Sequence, residues 1–129
     1  MSVPAKLKPL ILGELPCFQL KQFGLILPEG YVAMSIAAQK HSMRNHPDDF
    51  PRCAPFLSEV VETPSLVGQS PLHTDAFELV KELHAEGLNV LVAVRIAPAP
   101  SGLYQVSSAY PLAMATIEAR LRKGHLLAV

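Results

Sequence analysis

The sequence predicts an α+β domain, a mixture of short helices and strands, and three observations carry this. Across residues 28–45 the apolar positions Val32, Ile36 and Met43 recur on one side of a helix, with Ala33, Ala37 and Ala38 as good helix formers between them. Residues 90–96 (VLVAVRI) are short, β-branched and uninterrupted, as a strand requires. Residues 103–124 (LYQVSSAYPLAMATIEARLRKG) join both patterns: an apolar run that ends at Val106, a polar turn Ser107-Ser108-Ala109-Tyr110, and a terminal helix. Pro111 suits the first turn of that helix, because its missing N–H costs nothing there. Met114, Ile117 and Leu121 then share a face, Glu118 pairs with Arg122 one turn on, and Gly124 closes the element.

The remaining elements follow in order. Residues 1–16 read as an extended lead-in, and residues 17–27 (CFQLKQFGLIL) alternate enough at Phe18 and Leu20 for one or two strands broken near Gly24. His46-Pro47 stops the helix of residues 28–45. A shorter helix over residues 55–62 carries Phe56, Leu57, Val60 and Val61, and Thr63-Pro64 ends it. Residues 65–74 read as loop. Residues 76–87 (AFELVKELHAEG) are ambiguous: Phe77, Val80 and Leu83 fit a helix capped by Gly87, while Phe77, Leu79 and Leu83 fit one face of a strand, and propensity alone favours the helix. Residues 97–102 (APAPSG) form a turn into the strand at Leu103.

At 129 residues and 50% hydrophobic content, the chain has the size and composition of one domain with a buried core. Its 12 prolines divide it into short elements and exclude long helices. No run approaches the roughly 18 apolar residues of a membrane span, and the apolar stretch near the N-terminus is too short and interrupted for a signal peptide, which predicts a cytoplasmic protein. Cys17 and Cys53 are far apart and lack partners at zinc-ligand spacing, so free thiols are expected.

The formal net charge is zero, from 11 basic and 11 acidic residues, but it is unevenly spread. Glu62, Asp75, Glu78, Glu82 and Glu86 make the middle acidic. Lys40, His41, Arg44, His46 and Arg52 form a basic cluster before it, and Arg95, Arg120, Arg122 and Lys123 dominate the C-terminal part. Nucleic-acid binding would therefore rest on local rather than global positive charge.

Glycine-rich phosphate loops, paired carboxylate motifs, nucleophile elbows and metal-ligand clusters are missing from the sequence, which leaves histidine, arginine and hydroxyls as the chemistry-bearing groups. Cleavage of RNA without a metal needs few groups: a base for the 2′-hydroxyl, an acid for the leaving oxygen, and donors for charge developing on the phosphate. His41 can serve as base or acid; its plainer reading is a solvated histidine near a helix end. His46 before Pro47 reads first as a helix terminator. Arg95, at the end of an apolar strand, faces either solvent or a cleft. Ser107, Ser108 and Tyr110 read equally as caps of the last helix. His73, His84 and His125 have no supporting neighbours in the sequence and read as surface residues, as do Arg120, Arg122 and Lys123.

Taken together, the helix ending in QKHSMRNHP, the segment FLSEVVETPSLVG, the strand NVLVAVRI and the closing LYQVSSAYPLAMATIEARLRKGHL resemble the phage-associated nuclease domains of the Barnase, EndoU, colicin and RelE superfamily. The resemblance covers about residues 20–126 and lies in the order of short motifs. It implies a single nuclease domain over residues 1–129, an α+β fold with N-terminal helices packed on one face of a small, mainly antiparallel sheet and a C-terminal helix, and a strand rather than a helix at residues 77–83. Position by position, it makes His41 the acid or base, Arg95 a phosphate-stabilising donor, and Ser108 with Tyr110 the phosphate-positioning pair. Lys40, Arg44, His46 and Ser107 would then contact the substrate.

The activity implied is a metal-independent endoribonuclease, in the setting of a toxin module, that needs no cofactor and acts on RNA, transfer RNA among the candidate substrates. A toxin would bring an inhibitor or immunity protein as partner, seated on the basic groove rather than on the acidic middle. Two other readings stand beside it: an inactive nuclease-like module that binds nucleic acid or a phage or defence protein, which the neutral charge favours, and an unrelated α+β domain whose polar residues only cap helices.

Overall fold

A computed structural model, describing residues 6–129, gives seven strands in one mixed sheet with helices on both faces. Of the lead-in, residues 1–5 lie outside the described residues. The strands are β1 (Leu10–Glu14), β2 (Tyr31–Met34), β3 (Leu66–Gly68), β4 (Ala76–Leu83), β5 (Leu88–Arg95), β6 (Tyr104–Pro111) and β7 (Leu126–Ala128), in the spatial order β1-β2-β6-β5-β4-β3-β7. Neighbours are antiparallel except β2 and β6, which pair in parallel through Val32–Tyr104 and Ala33–Gln105 alone. The sheet is thus larger than the small antiparallel one expected, and the helices are not confined to one face.

Segment 76–83 is a strand, and burial explains why. Phe77, Leu79 and Leu83 enter one core and Val80 the other, so both faces of β4 are covered. β4 pairs with β5 residue by residue from Ala76–Arg95 to Leu83–Leu88, the chain reversing through a short 3₁₀ turn and Gly87 at φ +60°. A helix there would leave β5 without its neighbour, and that loss outweighs the modest helix propensity of Glu, Leu and Lys.

Residues 17–27, expected as strand, instead form helix α1 (Cys17–Phe23), which buries Leu20 and ends at Gly24 in the left-handed conformation. The long N-terminal helix is shorter than its periodicity suggested. Its first part is β2, whose Val32, Ala33 and Met34 are buried, and helix α2 (Ile36–Asn45) begins only after Ser35, whose Oγ accepts from the Ala38 N–H at 3.1 Å. His46 closes α2. Helix α3 (Phe50–Cys53), a 3₁₀ turn and helix α4 (Leu57–Glu62) follow, so the second helix starts close to its expected position. β3 arises inside the expected loop and β7 after the last helix. No sequence pattern marked either, because three residues are too few to show alternation.

The sheet separates two apolar layers. On one face Leu20, Val60, Val61, Phe77, Val92 and Val106 pack in the main core with α1, α3 and α4. On the other, helix α5 (Met114–Arg122) contributes Ile117 to a smaller cluster with Leu66, Val80, Leu91, Leu112 and Leu126. Met114 and Leu121, expected to share the buried face of α5, stay 41% and 38% exposed, so Ile117 anchors the helix. Cys17 and the fully buried Cys53 are free thiols.

Candidate active site

α5 covers only part of its face of the sheet. Toward the other end of the central strands, the same face presents Ala76 and Glu78 of β4, Ala93 and Arg95 of β5, and Ser107, Ser108 and Tyr110 of β6, and these line an open pocket of about 390 Å³. Alternation alone places Glu78, Ala93 and Arg95 there, since Phe77, Leu79, Val92 and Val94 occupy the opposite face.

The serines come by a different route. Val106 pairs with Val94 and Ser108 with Ala93, so Ser107 is an extra residue in β6. This β-bulge turns two successive hydroxyls toward one side of the sheet. Ser107 Oγ donates to the Ala93 carbonyl at 3.3 Å, while Ser108 has no such bond within the sheet. Neither serine caps a helix: β6 continues to Pro111, and the residue before α5 is Ala113, without a side-chain cap. The polar turn expected at residues 107–110 is therefore strand, because its alternate residue Ala109 is fully buried beside Val92.

A second, shallower groove of about 710 Å³ adjoins the pocket, with Ser35 at the cap of α2 and Ala38 and His41 of that helix on one side and Arg95, Ser107 and Ser108 on the other. Since β2 leaves β6 after two residue pairs, α2 and α3 pack beside the rest of β6. His41 is brought to the strand in this way. Its ring lies against Asn45, one turn on, whose Nδ2 is 3.0 Å from His41 Nε2 and 3.5 Å from Nδ1. Arg95, Ser107 and Ser108 line both cavities, which form one continuous surface across the bulge.

His46 and Tyr110 stack, with ring centroids 5.3 Å apart and planes inclined by 22°. Burial raises the Tyr110 phenol above its ordinary pKa, the Glu78 carboxylate adds to this and Arg120 opposes it, so Tyr110 stays a neutral hydroxyl donor at physiological pH. Lys40 and Arg44 stand exposed on α2 and line neither cavity.

Sequence reasoning missed three contributors. Glu78 is 6% exposed, and its Oε1 accepts from Arg120 Nη1 at 2.9 Å, so Arg120 is drawn in behind Glu78 and does not stand on a solvated helix face. Only the strand assignment of β4 could have revealed Glu78, by placing it opposite Phe77 and Leu79. His73 and Asp75 reach the pocket from the β3–β4 connection, just ahead of Ala76 and Glu78 and unmarked by any local pattern. No family model, curated protein or solved structure matches the chain.

Proposed function

We propose that the protein is a metal-independent endoribonuclease that cleaves RNA by attack of a 2′-hydroxyl on the adjacent phosphate. The observation that carries this reading is the continuity of the groove: a histidine, an arginine and two serines at the bulge, from positions 41 to 108 of the chain, line one open surface. Arg95 supplies a fixed positive charge and a planar set of donors for the phosphate oxygens, Ser108 adds a hydroxyl free of bonds within the sheet, and Tyr110 a neutral donor beside it. His41 moves the proton of the attacking or the leaving oxygen. The P–O5′ bond breaks as the 2′-O–P bond forms, leaving a 2′,3′-cyclic phosphate and a 5′-hydroxyl. An open groove suits single-stranded or loop RNA, whose backbone and bases are accessible, better than an A-form helix.

The setting proposed is a cytoplasmic toxin module, with an inhibitor protein covering the groove. Among the described residues no helix is long and apolar enough to cross a membrane. The test is incubation of the purified chain, His41→Ala and Arg95→Ala with total RNA and transfer RNA in EDTA, resolved on a denaturing gel. Discrete fragments from the parent, lost in both folded variants, are expected. Intact RNA with a folded parent would overturn the reading. The zero net charge supports a second reading, an inactive nuclease-like binding module, and RNA or protein retained without cleavage would favour it.

A further inference from the structure

We infer that His73 is the second proton-transfer group of this site, the general acid that protonates the departing 5′-oxygen while His41 takes the proton of the 2′-hydroxyl. This rests on the ribonuclease reading and extends it to a residue with no distinguishing mark in the sequence.

In-line displacement at phosphorus needs the attacking and leaving oxygens on opposite sides of the reacting atom, so a base and an acid must approach from opposite directions. The groove has that form. Arg95, Ser107 and Ser108 line both halves of it; His41 lines one half, from α2, and His73 lines the other, from the β3–β4 connection. A phosphate held by Arg95 and Ser108, which line both halves, lies between the two imidazoles.

The loop that carries His73 is fixed by its own backbone. His73 N–H donates to the Ser70 carbonyl at 3.1 Å, and its carbonyl accepts from Ala76 N–H at 3.2 Å. Gln69 Nε2 donates to the Thr74 and Ala76 carbonyls at 3.0 and 3.1 Å, and Ile96 N–H donates to Asp75 O at 2.9 Å, tying the loop to the end of β5 beside Arg95. These bonds fix the backbone that carries the exposed His73 at the pocket rim. Asp75 lines the same pocket as His73, whereas Arg95 is the one charged side chain beside His41 in the other half.

The step balances in protons and bonds. His41 accepts the 2′-hydroxyl proton as the 2′-O–P bond forms, and the His73 imidazolium gives its proton to O5′ as the P–O5′ bond breaks. His41 ends protonated and His73 neutral, and exchange with water restores both.

The test compares RNA with uridine 3′-(4-nitrophenyl) phosphate, whose nitrophenolate leaves without needing a proton. His73→Ala and His73→Gln are expected to lose at least 100-fold in RNA cleavage yet stay within several-fold of the parent on the aryl ester, while His41→Ala loses both activities. Circular dichroism and thermal melting confirm folding, which an exposed loop residue leaves intact. Parental RNA cleavage by both His73 variants, equal losses on the two substrates, or rescue of His41→Ala in place of His73→Ala would overturn the assignment while the ribonuclease reading stands. A folded parent that cleaves neither substrate would overturn both.

Discussion

Arg120 of α5 donates to the Glu78 carboxylate of β4 at 2.9 Å, joining the C-terminal helix to the middle of the sheet under the floor of the candidate site. The Glu78 side chain is 8% exposed and that of Arg120 25%, so the carboxylate depends on this partner for compensation of its charge. Removing one member of a buried pair leaves a desolvated charge, which costs more than the pair contributes. α5 otherwise meets the sheet through a small apolar cluster, and the ion pair also fixes its orientation.

Arg120→Ala is therefore expected to destabilise the fold by about 2–3 kcal/mol. Glu78→Gln, which keeps the shape and removes the charge, should cost less. Urea unfolding measures both, and equal stability of Arg120→Ala and the parent would show the pair to be dispensable.

Ser107 and Ser108 share one side of β6 but not one role. Ser107 Oγ is bonded to Ala93 O, while Ser108 is free to meet a substrate. Ser108→Ala should lower RNA cleavage roughly 10-fold or more through the loss of a donor to the phosphate, and Ser107→Ala by less. Single-turnover cleavage rates compare the two; a larger loss at Ser107 would reverse the assignment.

Gly68 of β3 lies where a Cβ would fall on the His125 carbonyl, and its backbone pairs with Leu126 of β7. Backbone cannot yield as a flexible side chain does. Gly68→Ala should cost about 2 kcal/mol by parting β3 from β7, lowering the melting temperature by roughly 8 °C. An unchanged melting curve would contradict the close approach.

Burial, with Asp49 adding and Arg52 opposing, pushes the Cys53 thiol up to about 11. In the native state it should be silent to a thiol reagent at pH 8 and react on unfolding. A thiol that ionises at a higher pH when folded than when unfolded contributes nothing to pH dependence below about pH 8. Between the ordinary thiol value and about 11 the unfolded chain alone loses the proton, so stability falls as pH rises through that window. Cys53→Ala should flatten this alkaline decline, as denaturant midpoints measured from pH 8 to 11 would show.

Local pattern in the sequence determined the strand at β5, the stops at His46-Pro47 and Thr63-Pro64, the helix α5 and the grouping of helices and strands in one α+β chain. It also marked His41, Arg95, Ser107 and Ser108, which the groove brings together. These features depend on residues close in the chain: β-branching, proline geometry and helical spacing act within a few positions. The tertiary structure decided the rest. Segment 76–83 is strand because β5 needs a partner on that side, and residues 107–110 extend β6 because Ala109 is buried. Helix and strand share residues 28–45 because Val32 and Ala33 pair with Tyr104 and Gln105, more than 70 positions away. The bulge at Ser107, the pairing of Glu78 with Arg120 and the arrival of His73 at the pocket rim likewise join distant segments, and the free energy that fixes them comes from contacts that no local window contains.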